Sequence, residues 1–97
     1  MLNVKRRIAT SQFEENDTVK MVYHQTVVAA FDQSTRELTL DNGGYETVTT
    51  KRRMNQFAAD HNLSFDVYQE NFEWFVIVRN DFDNPIPFVN GEVTIQL

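Results

Sequence analysis

Cysteine is missing from the 97 residues. That excludes a disulfide frame, a thiolate metal site and a cysteine nucleophile, and it fits a reducing compartment. Long apolar runs are missing too. The longest, Val27 to Phe31 and Trp74 to Val78, are five residues each, too short to span a bilayer. The basic start Lys5-Arg6-Arg7 leads into "IATSQFEEND" with no apolar signal-peptide core. Cations are scarce in the second half. Residues 1–53 hold eight cations and seven acids, whereas residues 54–97 hold Arg79 alone against seven acids. With a net charge of −5, the chain is a poor coat for DNA, because non-specific DNA affinity comes largely from phosphate neutralisation. A local basic site is still compatible with that total.

The apolar share of 41% and charged share of 24% are those of a globular protein. A chain of this length buries a single core without staples. There is no repeat, low-complexity tract or linker, so residues 1–97 read as one small domain. Residues 1–17 carry the weakest pattern and read as a loosely ordered segment, in which "SQFE" fits a capping box for a short helical turn. From Thr18 onwards Val19, Met21 and Tyr23 alternate with Lys20, Val22 and His24, and "QTVVAAF" then turns apolar on both faces. We read the whole as one strand moving under cover. "DQSTR" is a turn, and "ELTL" is the next strand.

"TKRRMNQFAADHN" is the one convincing helix: Met54, Phe57, Ala58 and His61 form an apolar stripe. Thr49 or Thr50 is the expected cap, and Asn62 the expected left-handed residue after its end. "LSFDVYQ" and "FEWFVIVRN" are strands joined by a turn at Glu70-Asn71, the second of them central, with Phe72, Trp74, Val76 and Val78 on one face. "NDFDNP" reads as a polar connection, and Pro85 and Pro87 place "NPIPFV" at a sheet edge. Asn90-Gly91 is the best turn signal, in a hairpin pairing Phe88 with Val93 and Ile86 with Ile95. The expected order is β-β-α-β-β-β-β, an α+β domain whose mostly antiparallel sheet of five to six strands packs on one helix.

These residues carry a resemblance. "YHQTVVAAFD", "LTLDNGGYETVTTKRRMNQ", "VYQENFEWFV" and "IPFVNGEVTI" follow one another as in a group of small proteins of tailed bacteriophages. That group resembles this chain in an H-x-T strand and a GG-aromatic-x-T-x-TTK-x-R-M-N motif, over about residues 22–95. The resemblance implies a phage accessory protein acting in the cytoplasm of the infected cell. It carries over no catalytic residue.

The motif places Lys51, Arg52 and Arg53 at a helix entrance, where the macrodipole disfavours cations by about 0.3–1 kcal/mol each. An incoming anion reverses that sign, since amides, cations and hydroxyls then converge on it. The candidate anion or partner site is therefore Tyr45, Thr47, Thr49, Thr50, Lys51, Arg52, Arg53 and Asn55, joined by His24 and Thr26, which share a strand face. The plainer reading stands beside it: Gly43-Gly44 closes a loop, the threonines cap and form strands, and the cations pair with surface acids. His24 then is an ordinary structural histidine.

Two histidines without cysteine do not make a zinc site, and no metal or cofactor is expected. No nucleophile with an adjacent base and no paired acid motif can be seen, so the expectation is a protein that is not an enzyme. Asp66, Glu70, Glu73, Asp81 and Asp83 form a candidate acidic face, and Tyr68, Phe72 and Trp74 a candidate aromatic hot spot. The partner read first is a host protein, with nucleic acid or a phosphate ligand as the alternative and no membrane. A sheet face left uncovered by a single helix also suits a homodimer.

Overall fold

Tight hairpins supply most of the connections in residues 10–97, the part of the chain that the computed structural model describes. Eight strands and one helix follow in order: β1 Thr10–Glu15, β2 Thr18–Tyr23, β3 Thr26–Asp32, β4 Glu37–Asp41, α1 Val48–Asp60, β5 Phe65–Glu70, β6 Glu73–Val78, β7 Asp81–Pro87 and β8 Glu92–Gln96. The class is α+β, as expected, but the strands form two antiparallel sheets. One runs β1-β2-β3-β4-β8 and the other β5-β6-β7.

Register explains which side chains are buried. Met21, Ala29, Leu40 and Val93 lie across the larger sheet in one row, and Val19, Phe31, Leu38 and Ile95 in the next row on that face. Phe65, Val67, Trp74 and Val76 come from one face of the smaller sheet. The helix stripe Met54, Phe57 and Ala58 completes a single cluster with both sets. The helix touches β5 on one side and β2 and β3 on the other, so it joins the two sheets. Burying a residue such as Phe57 contributes about 1.5–3 kcal/mol.

Several sequence expectations change here. "SQFE" lies inside β1, not in a helical turn, because Ser11 to Glu14 pair in register with Val22 to Val19. The basic start, with the rest of residues 1–9, lies outside the described residues. The single strand expected from Thr18 is two strands, folded back at His24-Gln25 with Tyr23 opposite Thr26. Its apolar run on both faces has a local cause. Met21 faces Ala29 while Val22 faces Val27, leaving Val28 as the extra residue of a β-bulge, so Val28 and Ala29 are both buried.

β7 takes in most of "NDFDNP", which is strand and not loop. It is an edge strand, as its prolines require. The Asn90-Gly91 turn forms, with φ of 53° and 81°, but pairing stops after Val89 with Glu92. Beyond it the arms part into different sheets: Ile86 faces Val76 and Ile95 faces Leu38.

The helix ends as expected. Asn62 is left-handed at φ 56°, and the Leu63 amide donates back to the Ala58 carbonyl at 2.8 Å. The outer edge of β5 is closed by a side chain. Asn55 donates from Nδ2 to the Val67 carbonyl at 3.0 Å and accepts from the Val67 amide on Oδ1 at 2.8 Å, as a neighbouring strand would.

Candidate functional site

The helix entrance lies two to three residues earlier than expected. Thr47, extended at φ −112°, is the cap in place of Thr49 or Thr50, and its Oγ1 accepts from the Thr50 amide at 3.1 Å. Thr50 is buried, its hydroxyl 3.0 Å from that of Thr47. The cations therefore begin at the fourth helical position, past the strongest part of the dipole. Successive residues turn by about 100° around a helix, so the three radiate instead of converging.

Lys51 donates to Gln69 at 2.8 Å and sits 5.4 Å from the centre of the Trp74 ring. Arg53 points the other way, donating to Thr10 at 3.1 Å and Gln56 at 3.2 Å with its guanidinium 5.9 Å from the Tyr23 ring. Arg52 is exposed. Among the described residues none of the three bonds to a carboxylate; the ion pairs there are Lys20–Glu15 and Arg79–Asp66.

The other expected site residues are dispersed. His24 is at a hairpin tip with φ 58°, its ring 4.3 Å from that of Tyr23, so it does not share a strand face with Thr26. Thr26 lies against Gly43, where a Cβ would come within 2.6 Å of its Oγ1; glycine there allows the loop to close on β3. Thr49 is half-buried on the helix, and Tyr45 is exposed on the loop before it. Asn55 has its amide bonded to β5.

The expected aromatic trio is also split. Trp74 is buried, and Tyr68 stacks on Phe75 at 5.5 Å on the opposite face of β6. Phe72 stands alone at the tip of the β5–β6 hairpin. The turn there is Asn71-Phe72, one residue later than expected, because Glu70 pairs with Glu73.

A cleft of about 310 Å³ gathers what the sequence did not join. Three connections build it: Asn42 to Glu46 before the helix, Phe72 to Trp74 at the β5–β6 hairpin, and Pro87 to Gly91 before β8. Asn42 ties two of them together, its backbone N–H donating to the Gly91 carbonyl at 2.9 Å and its side-chain Oδ1 accepting from the Gly44 backbone amide at 2.9 Å. Gly91 is required for this approach, since a Cβ there would fall 2.6 Å from Asn42 Oδ1. Trp74 packs edge-on against Phe88 at 5.6 Å.

Two polar atoms of this wall have no partner. Asn42 Nδ2 and Trp74 Nε1 are buried and unbonded, in residues only 1% and 3% exposed. An orphaned buried donor costs about 1–3 kcal/mol. The ionisable residues of the lining are Glu46 and Glu73, both acidic. Within the lining Phe72 is 89% exposed, and Tyr45 and Val89, chain neighbours of lining residues, are 59% and 66% exposed.

Phe72 is anomalous twice. Its φ of 66° is the left-handed region, which costs an L-residue about 1–2 kcal/mol, and the second position of this turn is ordinarily glycine. A bulky aromatic held in strain and turned to solvent contributes nothing to the core. Asn42 was missed from sequence; Phe72 was expected in an exposed aromatic hot spot, but its left-handed backbone was not. "DNGG" carried a signal for the first as a side-chain-closed turn, whereas "QENFE" carried none for the backbone of Phe72.

Fold and cleft together define a small α+β domain with an acidic, aromatic-rimmed cleft at the ends of three loops. The chain belongs to a phage protein family, Kyanoviridae Gp96 protein, whose family model matches residues 3–95. No curated protein and no solved structure matches the chain.

Proposed function

We propose that this phage protein is a non-enzymatic binding module that acts inside the infected cell by docking a host protein on the loop-end cleft. The observation that carries the reading is Phe72, strained and solvent-facing in the cleft lining, with exposed Tyr45 and Val89 on the other two loops that build the cleft. Strain kept without a structural return is a mark of binding sites, and exposed aromatics over a desolvated floor are the make-up of interface hot spots. Glu46 and Glu73 give the cleft one sign of charge, so the complementary partner segment is basic and carries an apolar side chain.

The test is nuclease-treated affinity capture from infected-cell lysate, read by mass spectrometry, with the wild type and the double variant Glu46→Lys, Glu73→Lys. A protein retained by the wild type and lost by the variant supports docking at this cleft. The same proteins on both, or none on either, rejects it.

The alternative, nucleic acid or a phosphate ligand at residues 43–55, keeps one favourable observation: the first helical turn holds no acid. Against it stands the divergence of Lys51, Arg52 and Arg53. Salt-sensitive RNA or DNA binding abolished by Lys51→Glu with Arg52→Glu would favour that alternative over the cleft.

A further inference from the structure

We propose that the floor of the cleft receives a neutral carbonyl oxygen, the backbone amide of a lysine or arginine residue in the docked segment, on Asn42 Nδ2 and Trp74 Nε1. This rests on the docking reading above and specifies what the cleft recognises.

The two donors lead to that chemistry. Tryptophan has one hydrogen-bonding group, the indole N–H, and it can only donate. The orientation of the Asn42 amide is set by Gly44, whose N–H needs Oδ1 as acceptor, so the NH₂ group is the end left over. Both unpartnered groups therefore ask for an oxygen, and both belong to residues lining one cleft.

The charge of the lining selects among oxygens. Carboxylates and phosphates would bring negative charge beside Glu46 and Glu73. Lys51, the nearby cation, is held by Gln69 over the Trp74 ring and is not part of the lining. A carbonyl carries the acceptor without the charge. Pro87, Phe88 and the rim of Phe72 suit an aliphatic chain, and the two glutamates suit the ammonium or guanidinium at its end. The volume of about 310 Å³ accommodates one such residue. Both nitrogens are shielded from bulk water, so entry of the oxygen requires a small shift of the cleft wall.

Trp74 is the sole tryptophan, so its indole N–H gives a single, separate peak in a ¹H–¹⁵N spectrum of the whole chain. The experiment titrates Nα-acetyl-lysine N-methylamide and follows that peak together with the Asn42 side-chain amide pair. Both are expected to move and saturate, and Glu46→Lys with Glu73→Lys is expected to abolish the saturation. Nα-acetyl-glutamate N-methylamide, acetate and n-butylamine should leave the indole in place. An indole peak that stays still with the lysine compound overturns the proposal. So does an equal shift with acetate, which marks an anion site, or with n-butylamine, which marks recognition of the cation alone. A still indole combined with cleft-dependent capture removes the carbonyl contact and leaves docking standing. A saturating shift without cleft-dependent capture supports the contact and rejects the host-protein reading.

Discussion

At the scale of single residues, conformations that an L-residue avoids mark where this chain departs from its own propensities. Asn16-Asp17, Asn71-Phe72 and Asn90-Gly91 all turn with two positive φ angles. The third was legible because Asn-Gly is the ordinary pair for such a turn; the second was not, because nothing in the letters shows that a phenylalanine occupies the glycine place. Phe72→Gly should relieve about 1–2 kcal/mol of backbone strain while adding about 0.5–1 kcal/mol of chain entropy to the unfolded state. The expected net gain from those two terms is roughly 0–1.5 kcal/mol, read as a urea midpoint at or above that of the wild type. A lower midpoint would show that Phe72 packs in the native state.

Asp32 gives a second residue-scale expectation. The Ser34 hydroxyl foremost, then the Thr35 and Ser34 amides, hold its carboxyl below the ordinary value of 3.8. A lowered folded value means that the unfolded chain binds the proton more tightly. The contribution is therefore present above about pH 4 and is lost as pH falls through 3.8 and then the folded value. Urea midpoints measured down to pH 2 should decline less steeply in Asp32→Asn than in the wild type, and parallel curves would refute this role.

At the scale of elements, periodicity succeeded where one rule acted alone. The helix stripe and the left-handed Asn62 are where the spacing put them, and β6 is central as its apolar character required. It failed where two causes produced one pattern. The apolar run in β3 came from a bulge and not from burial of both faces, and the hairpin after β7 opened into two sheets once its turn was made. Asn55 belonged to the expected site because it sits in the motif, yet its amide substitutes for a strand along β5. Asn55→Ala leaves the Val67 amide and carbonyl without those bonds. Hydrogen exchange at Val67 should accelerate, and stability should fall by about 1–3 kcal/mol; unchanged protection would mean that water replaces the side chain at no cost.

At the scale of the whole molecule, two sheets share one core through a single helix. Calorimetry should accordingly show one cooperative unfolding transition with matching calorimetric and van't Hoff enthalpies, whereas two transitions would mark the sheets as separate units. Among the described residues no helix is long and apolar enough to cross a membrane. Charge asymmetry along the chain foreshadowed an acidic surface, but not that loops 25 or more residues apart in sequence would bring Glu46, Glu73 and two unpaired donors to one cleft. That juxtaposition depends on tertiary register, which no local pattern encodes. The most direct measurement is host-lysate capture by the Phe72→Gly protein beside the wild type, each first shown to be folded. Loss of the captured host protein by a variant at least as stable as the wild type is the expected result, and undiminished capture would contradict the cleft as the binding site.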